Sequence, residues 1–443
     1  MPKSKGFNMF KLLGFVFALC FTLSAPAAVW ESSNTWSADW ENKYSAWVQS
    51  SWHKEFFAKP ELANGQKNPY YGLRVDCADT VYSMRIVFSY ENGLPFTMQD
   101  PTASGKTISN QMNRWDGKSA DEKIRGFLKY VYGIASTRSL PNDTYPVAIN
   151  RQSVRPGGLI MTTKLNHHSW TIKDILSIGV PHLVFNSVVG AASSLTIQDR
   201  KSWPNPSWVF EGDQTPAGNA GFRYWRPAEY LNTPVWKVPG YSDEQYKIPL
   251  KQWVRTAQQR LATNTESDTQ MMNRLLTTTC EAAGQRIASV KEGLDYIAKN
   301  PRCMDYATYD NYSTPNRDNR LFDDYMALRN GYKDIVHANG GNQLSSQLKA
   351  QLDKIFPEIN QSAKIETSRM APSEIGANSV CVIEYGKGQK MDLAELKRRL
   401  FAGLISNNPH DGFEYRWGLK KGPSPEAKAC PSWDLWSPDF SQE

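Results

Sequence analysis

The chain is poor in the residues that would hold a metal and in the runs that would cross a membrane. Its six cysteines include no CxxC pair and its six histidines no cluster of ligands, so a zinc site is not expected. No organic cofactor signature is present either. Past residue 23 no apolar stretch approaches the roughly 20 residues that a spanning helix needs, which excludes a membrane span from the remainder. No run of lysine or arginine marks a nucleic-acid groove. Internal repeats and long low-complexity segments are also missing, so neither a repeat architecture nor an extended disordered tract has support.

What is present begins with an export signal. Lys3, Lys5 and Lys11 form a basic region, Leu12 to Leu23 is apolar, and Ala25-Pro26-Ala27 offers small residues for cleavage. Residues 1–27 therefore read as a signal peptide, and the mature chain as exported, periplasmic or extracellular. Cys20 follows Ala18-Leu19, which puts a bulky residue where a lipoprotein signal requires a small one. Removing three lysines changes the formal balance from +7 to 48 minus 44, or +4. A mildly basic chain can approach an anionic wall or membrane surface without being selective for either. The remaining 443 minus 27, or 416, residues exceed one ordinary core, so two or three domains are expected.

Export also governs the cysteines. Cys77, Cys280, Cys303, Cys381 and Cys430 remain, an odd number, so intramolecular pairing leaves at least one free thiol. If that thiol is Cys77, the other four can form two disulfides in an oxidising compartment, with three connectivities open.

Along the chain, Trp36, Trp40, Tyr44, Trp47 and Val48 recur at helical spacing. They read as a helix packed on the core or, less simply, as a platform for glycans. Asp76 is a plausible N-cap for a helix from Cys77 to about Tyr90, and Ser119-Ala120-Asp121-Glu122 is a capping-box pattern for a second. Short strands are expected at 143–147, 159–161, 168–175, 181–188, 208–210 and 221–225. Beyond about Pro239 the periodicity becomes helical, over 250–262, 268–300, 318–337 and 344–356. A straight helix over 268–300, rising about 1.5 Å per residue, would hold Cys280 and Cys303 roughly 35 Å apart. Either it breaks near Gly284 or Gly293, or these cysteines pair elsewhere.

Cys77 is the centre of the functional reading. At the start of a helix, N–H groups and the helix dipole favour the thiolate, the nucleophilic form. Such a nucleophile needs a base, and that base needs an orienting group. His167 and His168 face opposite sides if both lie in a strand, so only one can face Cys77. His168, at the strand's beginning, is the expected base. For the third member Asp174, His182 and Asn186 compete. A hairpin turning about Ser177 sets position 168 across from about 186, which favours Asn186, although Asn186 also reads as an ordinary strand-end residue. Asp76 and Asp79 oppose thiolate formation, so capping suits Asp76 and a structural or substrate contact suits Asp79.

Pro69-Tyr70-Tyr71-Gly72 before Asp76-Cys77-Ala78-Asp79, with Arg155-Pro156-Gly157-Gly158-Leu159-Ile160 ahead of His168, resembles the NlpC/P60 branch of the papain-like cysteine hydrolases. The resemblance covers residues 68–232. It implies an α+β fold with a papain-like core: a helix bearing the cysteine packed on an antiparallel sheet, histidine on a strand, and a polar residue on the next. It also implies hydrolysis of peptide bonds in bacterial cell-wall stem peptides. The chain departs from that branch in Asp76-Cys77-Ala78-Asp79 and in Gly157-Gly158. Cys77 with Gly93-Leu94-Pro95, and His168-Ser169-Trp170, also resemble the transglutaminase-like branch, which implies the same thiolate attack and acyl-enzyme with a different substrate and acceptor.

The expected organisation is then a catalytic domain over 28–239 carrying the Trp-rich helix, a helical domain over 240–360 and a mixed segment over 361–443. The expected activity is an exported cysteine amide hydrolase with Cys77, His168 and Asn186, acting on peptidoglycan peptide or another amide without cofactor or metal. A non-catalytic wall-binding protein with a degenerate core is the alternative, since segments such as Trp203-Pro204-Asn205-Pro206-Ser207-Trp208 could stack on sugars.

Overall fold

A computed structural model of the chain describes residues 28–440 except 63, 163, 165, 166, 187–196, 361–371 and 434. The expected signal segment, 1–27, lies outside the described residues. The fold is α+β. Helix α1 (Ala38–Ser51) starts at Ser37 and buries Tyr44 and Val48. Helix α2 (Cys77–Glu91) is capped by Asp76 and buried almost throughout. The two are joined by Arg85, whose guanidinium bonds both Glu41 carboxylate oxygens at 2.9 and 2.6 Å and lies 3.4 Å from the Trp36 ring centroid. The Trp-rich stretch is thus core packing, with Trp47 against Trp52, Phe56 and Phe88.

A small hairpin, β1 (Thr97–Gln99) and β2 (Thr107–Ser109), precedes α3 (Ala120–Ile134), which opens with the capping box at Ser119 and Glu122. After the short α4 (Leu140–Asp143) the main sheet forms from β3 (Thr144–Pro146), β4 (Leu159–Thr162), β5 (His168–Ile175), β6 (Pro181–Phe185), β7 (Gln198–Arg200) and β8 (Gly221–Trp225). Its order is β3-β8-β4-β5-β6-β7 and every pairing is antiparallel. Residues 206–210 differ from the expected strand: they form α5 (Pro206–Phe210). Pro206 stands at the first helical position and the Asn205 side chain accepts from Ser207 N–H, a start signal that outweighs the apolar run Trp208 to Phe210.

The second half is helical: α6 (Leu250–Leu261), α7 (Asp268–Lys299), α8 (Tyr306–Tyr312), α9 (Pro315–Asn339), α10 (Ser346–Ile355) and α11 (Pro357–Asn360). A hairpin, β9 (Ile383–Gly386) and β10 (Gln389–Met391), and α12 (Leu393–Phe401) follow. Buried apolar residues divide into two clusters, one from Val29 to Leu261 and one from Met272 to Trp417. The expected division at 239/240 and 360/361 does not follow these clusters. Helix α6 buries Trp253, Ala257 and Leu261 in the first, and the residues after 371 pack into the second with α7 and α9. Among the described residues no helix is long and apolar enough to cross a membrane.

Helix α7 is one continuous helix through Gly284 and Gly293. The distance argument is therefore resolved by a different partner, and Cys303 is bonded to Cys430. Cys280 and Cys381 are free thiols close enough to shift each other's pKa, Cys280 upward and Cys381 downward. In protein isolated from an oxidising compartment these two sulfurs are expected to be bonded as well. Peptide mapping without reductant checks this: a disulfide-linked pair carrying Cys280 and Cys381 is expected, and both thiols alkylating freely would contradict it.

Candidate active site

An extended Asp76 delivers Cys77 to the first position of α2. Asp76 accepts from Asp79 N–H at 2.9 Å while Asp79 accepts from Asp76 N–H at 3.0 Å, a reciprocal cap that fixes where the helix begins. Asp79, left open between a structural and a substrate contact, is thereby a capping residue. The sheet holds the same segment from below. Ser169 Oγ on β5 donates to the Cys77 carbonyl at 3.2 Å, and Asn186 Nδ2 just past β6 donates to the Val75 carbonyl at 2.7 Å.

Around the sulfur, Thr137 Oγ1 lies at 3.1 Å and the His167 carbonyl oxygen at 3.8 Å. The neighbour of Thr137, Arg138, donates from Nε to His167 Nε2 at 3.0 Å. His167 Nδ1 is buried with no partner among the described residues. His167 is also one of few non-glycine residues in the left-handed region, with φ 41°. Such a conformation is held against its cost by the surroundings and concentrates at functional sites.

His168 lies elsewhere. Strand alternation sets Ser169 and Thr171 toward α2 and therefore turns His168 to the other face. There its ring packs edge-on against Trp170 at 4.6 Å and lies 5.7 Å from both Phe185 and Trp208. Burial, reinforced by the positive Arg320 and Arg200, pulls its pKa down to about 3. The expected contact of His168 with Cys77 is thus not made. The register explains Asn186 too: Thr171 pairs with Val184 and Ile172 with Leu183, so position 186 opposes 169 rather than 168. A slip of one residue exchanges faces, and Asn186 falls on the side of Cys77, away from the His168 ring.

The thiol is not a resting thiolate. Burial, joined by the negative charge of Asp76, pushes Cys77 up to about 12, against the lowering by the Thr137 hydroxyl. Burial and Asp76 likewise raise Asp79 to about 8. These outweigh the helix dipole that the sequence reading relied on, because the dipole is worth at most about 2 kcal/mol even when partly buried. Thr137 and Arg138 were not anticipated; they lie in a polar turn, Ser136 to Ser139, whose composition gives no signal of a site. Among the described residues no group of three or more His, Cys, Asp or Glu is placed to hold a metal ion.

His168 carries a pH dependence. Its folded pKa lies below its ordinary value of 6.5, so as pH falls from about 6.5 toward 3 the unfolded chain takes up a proton that the folded chain refuses. Stability is lost across that window. His168→Phe keeps a ring in the aromatic box and removes the proton, so its urea midpoint is expected to fall less than the wild type's between about pH 7 and pH 4. Equal falls would contradict the assignment. In comparisons with known proteins, no family model, no curated protein and no solved structure matches the chain.

Proposed function

We propose that this chain is an exported, papain-like cysteine amide hydrolase in which Cys77 is the nucleophile and His167, rather than His168, supplies the imidazole. The observation that supports this reading most is the meeting of the Cys77 sulfur with the Thr137 hydroxyl and the His167 backbone carbonyl at the start of a buried helix, brought from segments 60 and 90 residues apart. In the reaction the His167 ring leaves Arg138 and takes the Cys77 proton. The sulfur attacks the amide carbonyl carbon, and the Cys77 backbone N–H is one donor for the developing oxyanion. The imidazolium then protonates the departing amine, leaving a thioester that water hydrolyses with return of the proton to the ring. Asn186, on the same side of the sheet, holds the segment that carries the thiol. The family resemblance favours cell-wall stem peptides as substrate, with acyl transfer to an amine as the transglutaminase-like variant.

The buried, protonated thiol favours a second reading, a non-catalytic wall-binding protein built on a degenerate core. Intact sacculi incubated with the mature chain and with Cys77→Ala separate the two. Mass spectrometry is expected to find fragments with a cut stem peptide from the wild type alone. Identical traces, with wall material retained on both proteins, would favour the binding protein.

A further inference from the structure

Between the sheet-bearing half and the helical half lies a cleft of about 510 Å³, within the size range of small-molecule sites. One wall is Trp203-Pro204-Asn205-Pro206, four of the six residues of the tryptophan segment that the thiol chemistry leaves unexplained. The opposite wall is a stripe of α9, with Asn319, Phe322, Asp323, Met326 and Asn330 at three- and four-residue spacing, so a single helical face runs along the cleft. Trp436 borders it as well. None of the lining residues belongs to α2, β5 or the turn at 136–139, so this is a separate place from the thiol.

The lining selects a ligand class. Arg274, the one cation among the described lining residues, is held by both carboxylate oxygens of Glu266 at 2.8 and 2.7 Å, so an anion finds its counter-charge already engaged. A wholly apolar ligand would desolvate the carboxamides of Asn319 and Asn330 without replacing their hydrogen bonds to water. Three carboxyls line the cleft, Asp323, Asp324 and Asp439: Asp323 already accepts from Asn205 Nδ2 at 3.1 Å and Asp324 from Arg200 at 3.0 Å, so these two have their charge or direction engaged. Trp203 keeps a buried indole N–H with no acceptor among the described residues. A sugar ring has the matching chemistry, with apolar faces for tryptophan and phenylalanine and a rim of hydroxyls for amides and a carboxyl. We infer that this cleft binds a neutral carbohydrate chain, held by the carboxamides of Asn319 and Asn330 among apolar side chains.

The inference goes beyond the hydrolase reading and does not need it. Calorimetric titration of the full mature chain with chitotetraose, a neutral β-1,4-linked sugar, tests it. Saturable binding is expected, unchanged in Cys77→Ala and weakened about tenfold in the double variant Asn319→Ala/Asn330→Ala, which removes two exchangeable hydrogen bonds from a helix face. Circular dichroism of that variant should remain that of the wild type. No binding by the wild type, or equal binding by the double variant, would overturn the inference. So would preference for an anionic sugar phosphate over chitotetraose.

Discussion

Asparagine at His167 is expected to slow release of stem-peptide fragments by about a hundredfold or more, the loss typical of a missing general base. Asparagine is the replacement of choice because it tolerates the left-handed backbone that alanine does not. Alkylation of Cys77 by iodoacetamide should slow with it, since the ring bonds Arg138, the neighbour of the Thr137 that touches the sulfur. His168→Ala should act differently. It empties a place between Trp170, Phe185 and Trp208 and costs about 2–3 kcal/mol of stability by cavity formation. Per folded molecule its thiol should react as in the wild type. Should His168→Ala abolish alkylation at unchanged stability while His167→Asn leaves it intact, the assignment of the imidazole is wrong.

Alanine at Asp318 is expected to cost about 3–5 kcal/mol, the usual consequence of leaving a buried charge alone. Arg286 on α7 and Asp318 on α9 are almost fully buried and meet at 2.5 Å. Thr314 holds the second carboxylate oxygen at 2.9 Å, and Arg286 donates on to the carbonyls of Ser406 and Arg416 at 3.0 and 3.1 Å. Three segments of the second cluster therefore depend on a single guanidinium. Urea unfolding followed by fluorescence should show the loss in Asp318→Ala. Much of it should return in the double variant with Arg286→Met, because a buried pair replaced by apolar groups is often neutral. A loss below about 1 kcal/mol would mean that water reaches the pair.

Much of the frame was legible in local signals. Asp76 and Ser119 announced two helix starts because capping chemistry is confined to four residues, and β5 kept its expected bounds because alternation is a local property. Which histidine lies beside Cys77 was not, since either can begin the strand, and a one-residue register difference decides which partner shares its face. The thiol's protonation was also beyond reach, being set by burial that comes from packing rather than from the helix start. Helix α6 had a plain apolar face, but a face does not name its partner, and only the packing shows that Trp253 joins Phe210 and Phe222 at 5.4 and 5.1 Å.

The Cys303–Cys430 bond closes a covalent ring over a sequence separation of 127 residues, taking in α8 to α12. A protease that cuts once anywhere inside that ring divides the polypeptide without dividing the molecule, since both pieces stay tied through sulfur. Their local concentration toward each other then remains that of a single chain, and α9 and α12 keep their chance to repack. In an oxidising environment the bond thus converts a potentially lethal cut into a repairable one, until a reductant arrives.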